Sequence, residues 1–165
     1  MPTTKTKTLE DLFLERLRNI YAAEKQIVRA LPKMSRAARS QALTEAFDTH
    51  RDETLLQIGR LEQVFDLLDK PARPKSSIGA VGIIDEGSEV AVEFKGSDAL
   101  DPGLIAAAQA VEHLEITIYG SLIAWAHELG LSKAAKLLEQ NLDEEKKTDK
   151  RLSDLGERRI NKKAA

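Results

Sequence analysis

The chain contains no cysteine. Disulfides, thiol catalysis and iron–sulfur ligation are therefore excluded, and the lack fits a reducing compartment. No stretch approaches about eighteen uncharged apolar residues, so no membrane span is expected. The opening residues, MPTTKTKT, are polar and are not followed by the apolar segment of a signal peptide. A cytoplasmic location is the resulting expectation. Charge of one sign is also scarce: the formal net charge is -2 over 165 residues. Bulk electrostatics thus give a nucleic-acid partner no attraction. The glycines of region 79–87 have no strand before them, so no phosphate-cradling loop is indicated. What is present is ordinary for a globular protein, with 42% hydrophobic and 32% charged residues. This length supports a single domain, 1–165, with a sizeable core and frayed ends at about 1–8 and 157–165.

Apolar periodicity predicts four long helices. The first spans about Leu9 to Leu31, with Thr8 as cap and Asp11 three residues on. Pro32 and the KMSRAARS that follows mark a turn or a ragged helix end. The second helix covers roughly Ser40 to Asp69. The third covers about Pro102 to Leu129, with Asp101 as cap and Pro102 at the first helical position. The fourth runs from Ser132 to about Gly156, followed by a basic tail. Residues 70–100 are too many for a structureless loop in a compact domain, and there is room in them for a short extra helix. Short link, long link, short link is the connectivity of an all-α, antiparallel four-helix bundle with one long crossover between helices 2 and 3. An up-down-up-down chain with a long middle loop has the same link pattern.

A spacing of four and three residues picks out each inner stripe. The first helix places Phe13, Leu17, Ile20, Glu24, Ile27 and Leu31 in step. The second aligns His50 with Leu43, Phe47 and Leu61, the third Glu112 with Ile105 and Tyr119, and the fourth Glu145 and Asp149 with Leu138, Leu142 and Leu152. A buried, unpaired carboxylate costs several kcal/mol or takes up a proton, yet each helix carries one or its histidine equivalent. Glu53 follows His50 by three residues and Glu115 follows Glu112 by three, so each pair shares a face. Counted from turns near residues 36 and 131, the partners in each hairpin lie at similar heights, to within about a turn. Carboxylates converging with an imidazole in an apolar core call for cations. Hard oxygen donors with histidine suit iron or manganese, with zinc as a further option. Glu24, His50, Glu53, Glu112, Glu115, Glu145 and Asp149 are the candidate ligands, with Glu144 the competitor of Glu145 if the fourth helix rotates. His113 and His127 fall outside the stripe and read as flank or surface. Tyr21 and Tyr119 stand one turn from candidate ligands and are placed to hydrogen-bond them.

The segments YAAEKQIVRALPKM (21–34), FDTHRDETLLQIGRLEQVF (47–65), AAAQAVEHLEITIYGSL (106–122) and LLEQNLDEEKKTDKRL (137–152) resemble the YciE/YciF stress-associated proteins of bacteria, members of the ferritin-like superfamily. The resemblance covers roughly residues 9–156. It implies a helical bundle with a di-iron-type centre and a homodimeric assembly. The ferritin-like pattern has a lone Glu on two helices and Glu-x-x-His on the other two. Glu24 matches the first-helix Glu, and His50 with Glu53 fills the second-helix pair in reversed order. Glu112 matches the third-helix Glu, with Glu115 as an extra. Glu145 matches the fourth-helix Glu, but Thr148 stands where the second His would be, and Asp149 is the substitute. The centre is thereby poorer in nitrogen. Three functions fit: a dinuclear iron centre reacting with dioxygen or peroxide, a structural stress protein with a vestigial or stabilising metal site, and iron storage.

Overall fold

The Thr8 side chain accepts a hydrogen bond from the Asp11 N–H, and the Asp11 carboxylate accepts one from the Thr8 N–H. This reciprocal cap satisfies two otherwise unpaired donors and starts α1, Leu9–Ala37. The computed structural model describes residues 6–165; the fraying expected of residues 1–5 lies outside them. Four further helices follow: α2 (Gln41–Leu67), α3 (Ile78–Glu93), α4 (Leu100–Glu128) and α5 (Ser132–Leu155). A π-helical turn, Gly156–Ile160, leads into the short α6, Asn161–Ala164. The chain is all-helical, with no strand among the described residues. None of these helices is long and apolar enough to cross a membrane.

Three expectations about element ends are corrected. Pro32 does not end α1, which continues to Ala37. A proline within a helix costs about 3 kcal/mol. That cost is offset beyond it: Ser35 is buried and donates to Asp48 of α2, and Met34 packs against the core. The fourth helix does not stop near Gly156. The π turn carries the helix on and lays Ile160 against the core. Finally, Asp101 does not cap its own helix. α4 begins at Leu100, leaving Pro102 in the first turn, where its missing N–H has no partner to lose.

Asp101 instead serves the other hairpin. Its two oxygens accept from the backbone N–H groups of Arg39 (2.8 Å) and Ser40 (2.7 Å), at the turn between α1 and α2. Ser40 itself makes no side-chain cap, so one buried carboxylate from α4 supplies the acceptor. Truncating it would remove the acceptor of two part-buried N–H groups. Asp101→Ala is expected to lower stability by about 3 kcal/mol, read as a lower denaturant midpoint with unchanged slope; a loss below about 1 kcal/mol would mean that water replaces the carboxylate.

Hydrogen bonds across the helices fix their directions. Pairs such as Ser35–Asp48 and Tyr21–Glu62 run α1 against α2, and Gln109–Ser153 and Asn141–Tyr119 run α4 against α5. α2 also packs on α5, and α1 on α4. Among α1, α2, α4 and α5, packed helices thus run antiparallel around a shared core. The crossover makes this possible. The Asn19 amide donates to the Lys75 and Ser76 carbonyls, which pins residues 75–76 to α1. Ser77 then caps α3, which packs on α4 and α1. Arg39 pairs with Asp98 at the far end, 2.7 Å apart. Residues 70–99 therefore return the chain to the end where α2 began, and α2 and α4 run in the same direction. α3 is the extra helix for which the sequence left room. Gly87 lets it lie close to α4: a Cβ there would come within 3.2 Å of Ala107.

Candidate metal centre

All six stripe positions of α1 are buried, Glu24 among them. The inner faces of the other helices deliver His50 from α2, Glu112 and Glu115 from α4, and Glu145 from α5, each no more than 3% exposed. His50, Glu112, Glu115 and Glu145 each offer a donor atom within 4.8 Å of all the others. His50 Nε2 lies 3.1 Å from Glu112 Oε1, but not in line for a hydrogen bond. Glu24 adjoins this group from α1. Its carboxylate accepts a hydrogen bond from the Tyr119 hydroxyl. Glu53 is half-buried at the edge, with the Thr148 hydroxyl 3.4 Å from its Oε2.

The donors are not otherwise satisfied. Both oxygens of Glu115 and of Glu145, one oxygen each of Glu24 and Glu112, and both ring nitrogens of His50 are buried without a hydrogen-bond partner as carboxylates and imidazole. A folded protein rarely leaves so many polar atoms together unpaired. Without a cation the carboxyls must share protons: Glu24 faces Glu115, and Glu112 faces Glu145. Burial, then the neighbouring Glu145 carboxylate, pushes Glu24 up to about 8. Burial pushes Glu112 to about 8 as well, and holds Glu115 and Glu145 well above the ordinary range, with neighbouring carboxylate charges adding to the effect. Tyr119 is raised far above its usual value by burial and by Glu24. It stays a neutral hydroxyl that donates.

Asp149 is not brought into the cluster. It sits on the flank, accepting from the Gln109 amide at 3.0 Å and lying 3.4 Å from the largely exposed His113. The cause is the phase of α5. Its buried stripe steps through Leu138, Asn141, Glu145, Thr148 and Leu152, so Asn141 and Thr148 take the places that strict four-three counting gave to Leu142 and Asp149. Glu144 is not the inward carboxylate either; it holds Arg60 of α2 in a two-armed ion pair at 2.7 and 2.8 Å. His127 lies on the surface beside Glu139. Tyr21 bonds Glu62 and Lys25 rather than a member of the cluster.

Sequence reasoning missed a polar chain behind the site. Asn141 donates to the Tyr119 hydroxyl at 3.0 Å and accepts from Arg60 at 3.0 Å. Tyr119, fully buried, is thereby oriented toward Glu24 by a series of bonds that ends at the Arg60–Glu144 pair. Such outer partners fix the position of a ligating carboxylate. Four-three counting put Leu142 and not Asn141 on the inner stripe, so the sequence carried no signal for it.

Comparison with known proteins bears on this arrangement. The family described as "Domain of unknown function (DUF892)" matches residues 8–165. Protein YciF of Escherichia coli (strain K12) is 44% identical over 159 residues, covering 96% of each chain. The crystal structure of the E. coli stress protein YciF superposes with a TM-score of 0.90 at 43% identity, covering 95% of this chain and 99% of that one. YcfI from Rhodopseudomonas palustris gives 0.88 at 42% identity, covering 93% and 98%. A Xanthomonas campestris protein shares the fold, with a TM-score of 0.73 at 20% identity over 94% of each chain.

Proposed function

The chain belongs to the DUF892 family and to the YciF group of bacterial proteins, and from that premise we propose that it is a stress-associated, ferritin-like protein whose helices enclose a dinuclear metal centre. The arrangement of α1, α2, α4 and α5, each antiparallel to its neighbours with one long crossover, supports the ferritin-like bundle. The observation that carries the metal reading is the set of buried donor atoms left without partners. Glu24, His50, Glu112, Glu115 and Glu145 would hold the metals, with Glu53 at the edge. Four of these carboxylates are buried, and two divalent cations would balance their charge. Oxygen donors with a single imidazole favour iron, with manganese or zinc as substitutes.

Two ferrous ions there would supply electrons to a small oxidant, dioxygen or peroxide. The protein's own part is positional. Tyr119 holds one oxygen of Glu24 and leaves the other free, and Asn141 fixes the tyrosine. Apolar residues surround the cluster on the inner faces of the helices. The protein works in the cytoplasm as a homodimer on this reading; exposed Leu56 and Leu67, which share a face of α2, suit a self-association surface.

Ferrous titration under anaerobic conditions tests the proposal. Wild type should take up two ions per chain, and Glu115→Ala should lower affinity at least about 100-fold, since it removes a ligand rather than an outer partner. Protein that stays free of cations in this titration would favour the purely structural reading. Peroxide consumption by iron-loaded wild type and Glu24→Ala then separates redox work from stabilisation, equal rates speaking against the former.

A further inference from the structure

A cavity of about 540 Å³ opens between α1, α3 and α4. Its walls are aliphatic: Ile27 and Leu31 from α1, Ile83 and Ile84 from α3, Ala108 and Val111 from α4. It spans residues 26 to 34 of α1, about 12 Å of helix. Its inner end is polar, formed by His50 and Glu112 of the cluster. At its outer rim stand Arg29 and Lys33, both exposed, with Asp85 and Ser88 of α3 opposite. Neither Arg29 nor Lys33 has an ion-pair partner among the described residues. Gln26 also lines the cavity, and its side-chain oxygen is buried without a partner. Turning that amide over would present its NH₂ to a guest.

An aliphatic cavity of this size is larger than small ions or gases require. Apolar walls favour an apolar guest by about 25 cal/mol per Å² removed from water, and pockets for small molecules combine such walls with a few placed polar groups. Two cations against one carboxylate at the rim select a negative head. The α3 wall is also lightly held. Of its residues only Ala80 and Gly87 are buried, while Ile78 and Val92 are 88% and 77% exposed. A segment with so little burial shifts at low cost, which lets the wall admit a chain.

We infer that this cavity binds a medium-chain aliphatic anion, its head at Arg29 and Lys33 and its alkyl chain running inward to end beside His50 and Glu112. The inference rests on the metal-centre reading only for what the chain's inner end meets; the binding itself requires no metal.

Calorimetric titration with decanoate, on protein with and without ferrous ion, tests it. Decanoate should bind wild type in both states. Ala91→Phe, which projects a ring from α3 into the cavity, should weaken decanoate at least tenfold while ferrous uptake stays native. The exposed double change Arg29→Glu with Lys33→Glu, which leaves the core untouched, should weaken decanoate about tenfold and leave 1-decanol unaffected. Glu115→Ala should lose iron and keep decanoate, so failure of the metal reading and failure of this one are told apart. No binding to wild type, binding indifferent to Ala91→Phe, or decyltrimethylammonium bound as well as decanoate would each overturn the assignment.

Discussion

Raising the pH from about 5 to about 8.5 is expected to destabilise the metal-free protein by several kcal/mol, and ferrous ion is expected to reverse the loss. In the unfolded chain the glutamates ionise near 4.5. In the folded chain Glu24 and Glu112 hold their protons up to about 8, and Glu115 and Glu145 hold theirs above the ordinary range. Between these values the folded state binds more protons than the unfolded state, so stability falls as pH rises. The stabilising contribution is fully present below about 4.5 and is lost as pH passes through about 8. A proton that the folded chain keeps one pH unit longer than the unfolded chain contributes about 1.4 kcal/mol. The carboxyls interact, so the loss belongs to the group and is not a sum over its members. A cation reverses the sign because it binds the ionised carboxylates and displaces the shared protons. Ferrous loading at pH 7 should therefore release protons to an indicator dye, and loaded protein should be more stable at high pH than at low. Chemical denaturation across this range, with and without iron, reads both effects. A metal-free protein whose stability is flat or rises over this interval would show that the carboxyls are solvated and not confined with one another.

The same burial that makes these predictions large also decides what could be read from the sequence. On α1 the stripe from Phe13 to Leu31 keeps one phase, so Glu24 was visible as a carboxylate out of place. His50, Glu112 and Glu145 stood out for the same reason. A helix turns every 3.6 residues, however, and a four-three count can slip by one position without losing its apolar matches. On α5 that slip exchanges Asp149 for Thr148 and Leu142 for Asn141. Contacts between helices settle the phase, and no local pattern records them. The Arg60–Glu144 pair joins residues 84 apart, and Asp101 caps a turn 61 residues earlier in the chain. Pro32 misled for a related reason: it is a strong local stop signal, overridden by the burial of Ser35 and the packing of Met34 beyond it. Only room for α3 was read, from length alone, since its Gly and Val content argues weakly for a helix.

Replacing Glu115 and Glu145 together by glutamine is expected to abolish high-affinity metal binding and yet raise the stability of the metal-free protein at about pH 8. Each substitution falls in one of the two carboxyl pairs. Glu115 faces Glu24, and Glu145 faces Glu112. An amide of nearly the same shape donates N–H to the remaining carboxylate, so neither pair needs a shared proton. The buried charge available at high pH is halved, and the desolvation cost falls with it. A gain of about 2 kcal/mol at high pH follows, seen as a midpoint some 4–8 °C higher by thermal unfolding; the gain should vanish near pH 5, where all four carboxyls of the wild type are protonated. The two effects point in opposite directions, which separates a functional cluster from a structural one. If these glutamates served mainly to hold the metal-free fold together, the double variant would be less stable at every pH. If they were ordinary surface groups, neither stability nor ferrous uptake would change. A protein that loses its metal and gains stability at once has been carrying those carboxylates against the interest of its own apolar core, for the sake of the cation they bind.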